Sequence, residues 1–141
     1  MSGLPSLEQG PAYSLLPPEI VQPVQAALAV ASEEHNRLLK AEIQRFQTLV
    51  HPRMLQLEYF DLGGLFDSIT QADNLEELGI TVTNSSCIEF NSLDLAEVES
   101  VCQDPAQFTF YDPLHYTTTI HREVAKGIAK ALDRKVTAVP Y

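Results

Sequence analysis

The residues best suited to chemistry in this sequence are Asp112 and His115, in the segment Asp112-Pro113-Leu114-His115. An Asp three residues before a His, on a turn stiffened by Pro113, can accept a hydrogen bond from the imidazole Nδ1–H. That bond fixes the tautomer and leaves Nε2 available to take a proton from a nucleophile. The spacing alone favours a solvated turn over a catalytic pair, because many surface loops contain this pattern by chance.

Three other side chains are weaker candidates. Ser68, in Phe66-Asp67-Ser68-Ile69, fits a Ser on the surface of a short helix, and we do not expect it to be a nucleophile. His35 lies on an apolar helical stripe, which predicts a packed or half-buried structural His. His121 follows His115 at a poor spacing for two metal ligands on one helix, and the sequence has no CxxC pair. We therefore expect neither a metal site nor a cofactor.

The sequence has two cysteines, Cys87 and Cys102, which lie 15 residues apart. Buried thiols and a disulfide are about equally compatible with this pair. A disulfide closing this loop would stabilise the fold by about 3 kcal/mol. We expect the two Cα atoms to lie about 4.4–6.8 Å apart, which is close enough to bridge.

The compartment in which the protein folds stays open at the level of sequence. Asn84-Ser85-Ser86 is an N-glycosylation sequon, and a glycan or a disulfide would indicate an oxidising, secretory environment. The N-terminal residues Met1-Ser2-Gly3-Leu4-Pro5 carry neither the basic nor the apolar region of a signal peptide, which favours the opposite conclusion.

Length and charge limit the classes of protein to which the chain can belong. Its 141 residues suffice for a single domain with a hydrophobic core but not for two. Nine basic and nineteen acidic side chains give a formal net charge of −10. Such a chain repels phosphate, so we expect no nucleic-acid partner and no binding to anionic membranes. No apolar run reaches the roughly 18 residues that a transmembrane segment needs.

Apolar residues at helical spacing define the longest predicted elements. Residues 19–50 form one helix, whose apolar stripe comprises Val24, Leu28, Ala31, His35, Leu39, Ile43, Phe46 and Val50. A final helix begins at Thr118 or Thr119 and places Ile120, Val124, Ile128 and Leu132 on one face. The four prolines of residues 1–18 predict an irregular lead-in.

Between these helices the patterns are shorter. Residues 54–60 predict a strand that stops at Asp61-Leu62-Gly63-Gly64, and residues 65–72 predict a short helix. Residues 73–107 lack a clean period and predict mostly loop, with helical turns near Leu75–Leu78 and Leu93–Val101. A brief aromatic run at 108–112 then leads into another loop.

This order of elements predicts an α/β fold that is predominantly helical, with one or two parallel strands. A parallel strand buried on both faces needs hydrogen-bonded neighbours on its flanks. Because the sequence shows only one clear strand, we expect the chain to be part of a larger fold.

The segment around Asp112 resembles the last motif of the GDSL-type SGNH hydrolases, a family of lipases and acylhydrolases. In that family an aromatic–Asp–x–x–His block leads directly into the C-terminal helix. Here Phe110-Tyr111-Asp112-Pro113-Leu114-His115-Tyr116-Thr117-Thr118 is similar, with His121-Arg122-Glu123-Val124-Ala125 as the helix after it. Tyr116 stands where family members commonly have Pro, and Thr117 follows as it does in them.

Weaker similarities extend upstream. Asn36-Arg37-Leu38-Leu39 resembles the family's Asn-x-x-Leu helix, and Leu57–Asp61 resembles the strand and Asp after it. The segment from Cys87 to Cys102 is similar to the Cys-bearing loop of several secreted lipases of this type. Together the resemblance covers most of residues 4–132, and only the last block is specific.

The resemblance implies that residues 1–141 are a single domain, the C-terminal part of an SGNH hydrolase with a partial, flavodoxin-like three-layer fold. Asp112 and His115 would be the acid and base of a Ser-His-Asp triad. The family's nucleophilic Ser lies in a Gly-Asp-Ser-Leu motif, and its oxyanion donors are a Gly and the Asn of Gly-x-Asn-Asp. Neither motif occurs in this sequence. The complete enzyme would act on a small-molecule or lipid ester, and the chain alone is expected to be inactive.

A second interpretation is a non-enzymatic, degenerate relative that acts as a binding or interaction module. The missing nucleophile separates the two interpretations. A natural transcript that continues upstream into a Gly-Asp-Ser motif would favour the hydrolase, whereas a gene that begins at Met1 would favour the binding module.

Overall fold

The structure is a computed structural model, and it describes residue 4 and residues 10–50, 57–91 and 97–136. The chain divides into two compact units. The first comprises Met1–Gln9 and Pro17–Asp67, and the second comprises Gly10–Leu16 and Ser68–Tyr141. The single domain expected from the length stays a prediction.

The first unit is built on the long helix α1, Pro18–Leu49. Pro18 opens the helix, where its missing N–H costs nothing because the first amides of a helix have no partner inside it. Ile43 and Ser32 are buried on one face, and the Ser32 hydroxyl donates to the carbonyl of Leu28 at 2.9 Å. The helix predicted over 19–50 is confirmed.

Helix α2, Leu62–Ile69, begins three residues before its predicted start. The cause is Asp61, whose Oδ1 accepts a hydrogen bond from the amide of Gly64 at 3.1 Å. A side-chain oxygen at this position satisfies an amide that the first turn leaves unpaired. The two glycines that predicted the end of a strand therefore lie inside the first turn of a helix.

The second unit holds the strands and two further helices. Helix α3 is Ala72–Glu77, and helix α4 is Thr118–Val136. Strand β1, Val82–Ser86, pairs in parallel with β4, Phe108–Phe110. Strand β2, Ile88–Phe90, pairs antiparallel with β3, Val98–Val101. The buried apolar residues of this unit include Ile69, Leu75, Ile80, Cys87, Phe110 and Ile120.

These elements confirm a mixed α/β class with a two-stranded parallel sheet, and they correct several local predictions. The loop predicted over 73–107 contains β1, β2 and β3. The helical turn predicted near Leu93–Val101 is wrong for the part that the structure describes, because Val98–Val101 is a strand. In the strand predicted over 54–60, residues 54–56 lie outside the described part, and residues 57–59 have no regular secondary structure.

The predicted lead-in is also more ordered than expected over its described residues. Residues 1–3 and 5–9 lie outside the described part of the chain. Pro11–Leu15 forms a 3₁₀ helix, and Pro18 is already the first residue of α1. The 3₁₀ helix belongs to the second unit, where it contacts the loop that follows β4.

Candidate functional site

The Asp112 carboxylate and the His115 imidazole are in hydrogen-bond contact in the loop after β4. The Nδ1 atom of His115 lies 2.9 Å from Oδ1 and 2.8 Å from Oδ2 of Asp112. Both distances lie within about 2.6–3.2 Å, so the hydrogen bond predicted between the two side chains is confirmed. An ionised carboxylate can only accept hydrogen bonds, so Nδ1 carries the hydrogen and Nε2 of the neutral ring is the acceptor.

The same carboxylate also fixes the backbone of the loop. Oδ1 of Asp112 accepts hydrogen bonds from the amides of Leu114 and His115, each at 2.8 Å. Asp forms such turns readily because its short side chain reaches the amides two and three residues ahead. One side chain thus shapes the turn and aligns the ring that the turn presents.

The electrostatics of Asp112 favour its ionised form. Partial burial of the carboxyl raises its pKa, but hydrogen bonds from the Leu114 amide and from the imidazole and amide of His115 lower it by more. The pKa of Asp112 therefore lies below its usual value. The group stays a carboxylate at neutral pH, as an orienting partner of a catalytic His must.

Exposure differs between the two members of the pair. The Asp112 side chain is 24% exposed, whereas that of His115 is 71% exposed. Nδ1 faces the carboxylate, and most of the imidazole side chain is accessible to solvent. Leu114 and Tyr111, in the same loop, are also exposed.

Backbone hydrogen bonds between β4 and the segment after His115 close the loop that holds the Asp–His pair. The Tyr111 amide donates to the His115 carbonyl at 2.7 Å, and the Thr117 amide donates to the Thr109 carbonyl at 3.0 Å. The rings of Phe110 and Tyr116 stack with centroids 4.8 Å apart. The chain therefore leaves β4, makes the Asp–His turn and returns alongside the strand that it left.

On the other side, β4 is held by the segment that carries the disulfide. The Cys87 amide donates to the Phe110 carbonyl at 3.0 Å, and the Ile88 amide donates to the Tyr111 carbonyl at 2.8 Å. Cys87 and Cys102 form a disulfide with Cα atoms 4.8 Å apart, which confirms the predicted bridging distance. The Cys102 amide also donates to the Cys87 carbonyl at 2.7 Å.

The 3₁₀ helix Pro11–Leu15 provides a third support, which the sequence patterns did not indicate. The Ala12 amide donates to the carbonyl of Pro113 at 3.0 Å, and Pro113 is buried. Gly10 opens this segment with φ 139° and ψ 157°, a conformation that almost only glycine adopts. No local pattern relates Ala12 to Pro113, because the two are distant in sequence. The turn itself, in contrast, was indicated by the sequence, because an Asp followed by a Pro favours the start of a turn.

The other sequence candidates are not brought into a catalytic arrangement by the described contacts. Ser68 is exposed near the end of α2, and its carbonyl accepts a hydrogen bond from Asn74 Nδ2 at 2.6 Å. His35 is exposed on α1, so the prediction of a packed or half-buried His is wrong. The apolar stripe of α1 is wider than the surface it buries, and His35 lies at its exposed edge. His121 is exposed on the first turn of α4.

The described residues contain neither a metal cluster nor a membrane-spanning helix. No group of three or more His, Cys, Asp or Glu side chains in that part of the chain has the arrangement of a metal site. None of its helices combines the length and apolar character that a membrane span requires.

In the first unit, the Asn36 side chain makes two hydrogen bonds to the backbone of Leu4. Its Oδ1 accepts from the Leu4 amide at 2.7 Å, and its Nδ2 donates to the Leu4 carbonyl at 2.9 Å. One amide side chain thus binds both polar groups of a backbone residue, as a neighbouring strand would. Asn36 therefore has a structural role here, although it is one of the residues on which the resemblance to the hydrolase family rests.

No protein-family model matches the sequence, and no curated protein matches it significantly.

Proposed function

We propose that the chain is the C-terminal part of an ester hydrolase of the GDSL type, in which Asp112 and His115 are the acid and base of a Ser-His-Asp triad. The observation that carries the proposal is the contact of His115 Nδ1 with the Asp112 carboxylate at 2.8 Å. The exposure of the His115 side chain and the low pKa of Asp112 support it. The nucleophilic Ser and the oxyanion donors would come from a segment beyond these 141 residues.

In this proposal the reaction is a two-step acyl transfer. His115 Nε2 takes the proton from the Ser hydroxyl as its oxygen attacks the ester carbonyl, and Asp112 stabilises the resulting imidazolium. His115 then gives the proton to the departing alcohol, which leaves an acyl-enzyme. In the second step His115 takes a proton from water, and the attack of that water releases the carboxylic acid and restores the Ser. The substrate class is a carboxylic ester of a small molecule or a lipid.

The contribution of this chain is preorganisation of the base. The turn hydrogen bonds from Leu114 and His115 fix the carboxylate before any substrate arrives. A neutral imidazole with hydrogen on Nδ1 is the tautomer that can act as a base through Nε2. Fixed partners of this kind lower the barrier because little reorganisation is left for the reaction itself.

The experiment that tests the proposal begins with the 5′ end of the natural transcript. We expect it to encode an upstream Gly-Asp-Ser motif. The complete product should hydrolyse p-nitrophenyl esters, and His115→Ala should lower kcat on the order of 10³-fold or more. His121→Ala, an exposed His on α4, is the matched control and should retain wild-type kcat. A fluorophosphonate probe, which labels an activated Ser, should react with the wild type and not with His115→Ala.

The chain of 141 residues by itself should show no ester hydrolysis above background. Without a Ser and oxyanion donors, His115 is at most a weak general base, worth about 10²-fold if a substrate were well placed. Turnover by this chain that disappears in His115→Ala would mean that a working site exists within it, which would contradict the division of the triad proposed here. A complete product that lacks both turnover and probe labelling would instead favour a non-enzymatic relative.

A further inference from the structure

The sequon Asn84-Ser85-Ser86 is the only Asn-x-Ser/Thr sequence in the chain, and the proposed hydrolase gives it no role. Asn84 is exposed in the middle of β1. We propose that Asn84 carries an N-linked glycan, added in the same oxidising compartment in which Cys87 and Cys102 are joined. This proposal does not depend on the proposed function.

The disulfide is an independent observation that favours that compartment. Disulfides persist in secretory and extracellular environments and are rare where glutathione keeps thiols reduced. Cys87 follows Asn84 by three residues, and the structure joins it to Cys102. One short segment therefore contains both a sequon and a cysteine whose disulfide requires oxidising conditions. The transfer of N-glycans takes place under the same conditions.

The environment of Asn84 leaves room for a glycan. Strand β1 pairs with β4, and Asn84 and the preceding Thr83 are both exposed. Asn84 borders a cavity of about 250 Å³ whose wall includes Phe90 and Glu89. An aromatic ring offers a surface for the apolar face of a sugar, and a carboxylate accepts hydrogen bonds from its hydroxyls.

The third residue of the sequon determines when the glycan can be added. Ser86 is only 5% exposed, and its hydroxyl donates to the Ile88 carbonyl at 2.7 Å. A hydroxyl held in this way cannot be reached by an enzyme that must recognise an extended Asn-x-Ser segment. The glycan must therefore be attached before β1 pairs with β4 and Ser86 becomes buried.

The transfer itself replaces one bond with another. The amide Nδ2 of Asn84 forms a bond to the anomeric carbon of an oligosaccharide and loses one proton. The bond from that carbon to a lipid-linked diphosphate breaks, and the lipid diphosphate leaves with the electron pair. No oxidant or reductant is needed for this step.

The test expresses the full chain behind a cleavable secretion signal in a eukaryotic host. We expect a discrete increase in mass that a peptide N-glycosidase removes, and mass spectrometry should locate the sugar on the peptide containing Asn84. Asn84→Gln should abolish the increase completely. Asn91→Gln is the matched control, because Asn91 is not part of a sequon and its replacement should leave the increase unchanged.

Signal cleavage and oxidation of both cysteines report that the chain entered the compartment, whether or not a variant folds to the end. A processed, oxidised wild type without sugar on Asn84 would overturn the proposal, as would an increase that persists in Asn84→Gln. The same peptide should carry the glycan in protein isolated from its natural source, and an unmodified Asn84 there would also overturn it.

Discussion

The amide of Cys87 donates to the carbonyl of Phe110 at 3.0 Å, which connects the disulfide directly to the strand that leads into the Asp112–His115 turn. Cys87 is 1% exposed, so this contact is made in the interior of the second unit. A movement of Cys87 away from its position would therefore break the hydrogen bond to the final residue of β4. We therefore expect the position of the Asp–His pair to be sensitive to the redox state of the two cysteines.

The first prediction concerns reduction of the disulfide. The double variant Cys87→Ala/Cys102→Ala should lower the free energy of unfolding by about 3 kcal/mol through the lost constraint on the unfolded chain. Chemical denaturation measures this change. Hydrogen exchange at the amides of Ile88 and Tyr111 should also become faster, because the Ile88 amide donates to the Tyr111 carbonyl and the Tyr111 amide donates to the His115 carbonyl.

Wild-type protein treated with a thiol reductant is the control for the double variant, since it breaks the same bond without changing a side chain. Equal exchange rates at Tyr111 in oxidised and reduced protein would contradict the connection between the disulfide and the turn.

The second prediction separates the two roles of Asp112. Asp112→Asn keeps an oxygen that accepts from the amides of Leu114 and His115. Its NH₂ group replaces Oδ2, which is the nearer oxygen to the imidazole Nδ1 at 2.8 Å, and cannot accept from the ring. Asp112→Ala removes both functions. We expect Asp112→Asn to retain the turn and change the His115 tautomer, whereas Asp112→Ala should also destabilise the fold by about 1–3 kcal/mol.

Nitrogen NMR of the His115 ring measures the tautomer, and denaturation measures the stability of both variants. An Asn variant that keeps hydrogen on Nδ1 would show that the carboxylate does not orient the ring. Equal stability of the Ala and Asn variants would show that the turn bonds contribute nothing measurable.

The long helix α1 was predictable because its signals are local and repeated. The apolar period of α1 continues over 32 residues, and Pro18 marks its start. Strand β3, Val98–Val101, was missed because all four of its residues are exposed, so no alternation of apolar and polar residues appears. Its pairing with β2 exists only once the chain has folded, and no short window of sequence contains it.

The candidate site likewise has one part that the sequence could predict and another that it could not. Asp112 and His115 lie within one turn, so their contact could be predicted from spacing and residue type. The support that Ala12 gives to Pro113 joins residues from distant parts of the sequence, and no spacing rule indicates it. The exposure of His35 was missed because periodicity gives the direction of a helical face but not the width of the surface that covers it.

The third prediction tests the support from the 3₁₀ helix. Gly10 has φ 139° and ψ 157°, a region that costs other residues about 1–3 kcal/mol. A Cβ at this position would lie 3.5 Å from Phe110 Cε1, which is ordinary contact, so the cost comes from the backbone. Gly10→Ala should therefore lower the stability by that amount and speed hydrogen exchange at the Ala12 amide.

Gly79→Ala is the matched control for this variant. Gly79 has φ 74°, and among the described residues no atom lies within 4 Å of the place that a Cβ would take, so its cost is also confined to the backbone. It should destabilise the second unit without a selective change at Ala12. Faster exchange at Ala12 in Gly79→Ala, or none in Gly10→Ala, would contradict a specific role for the 3₁₀ helix.

The fourth prediction follows from the low pKa of Asp112 in the folded state. In the unfolded chain the pKa of an Asp is about 3.9. At a pH between this value and the lower pKa of the folded state, the unfolded state therefore binds more protons than the folded state. The stability supplied by the ionised carboxylate is therefore fully present above the unfolded pKa and is lost as the pH falls through the folded pKa. Urea denaturation of the wild type and Asp112→Asn over this acidic range measures the effect, because the other carboxylates are common to both proteins. The stability difference between the two should shrink as the pH falls, and a difference that stays constant down to the lowest pH at which both fold would show that the turn does not favour the ionised form.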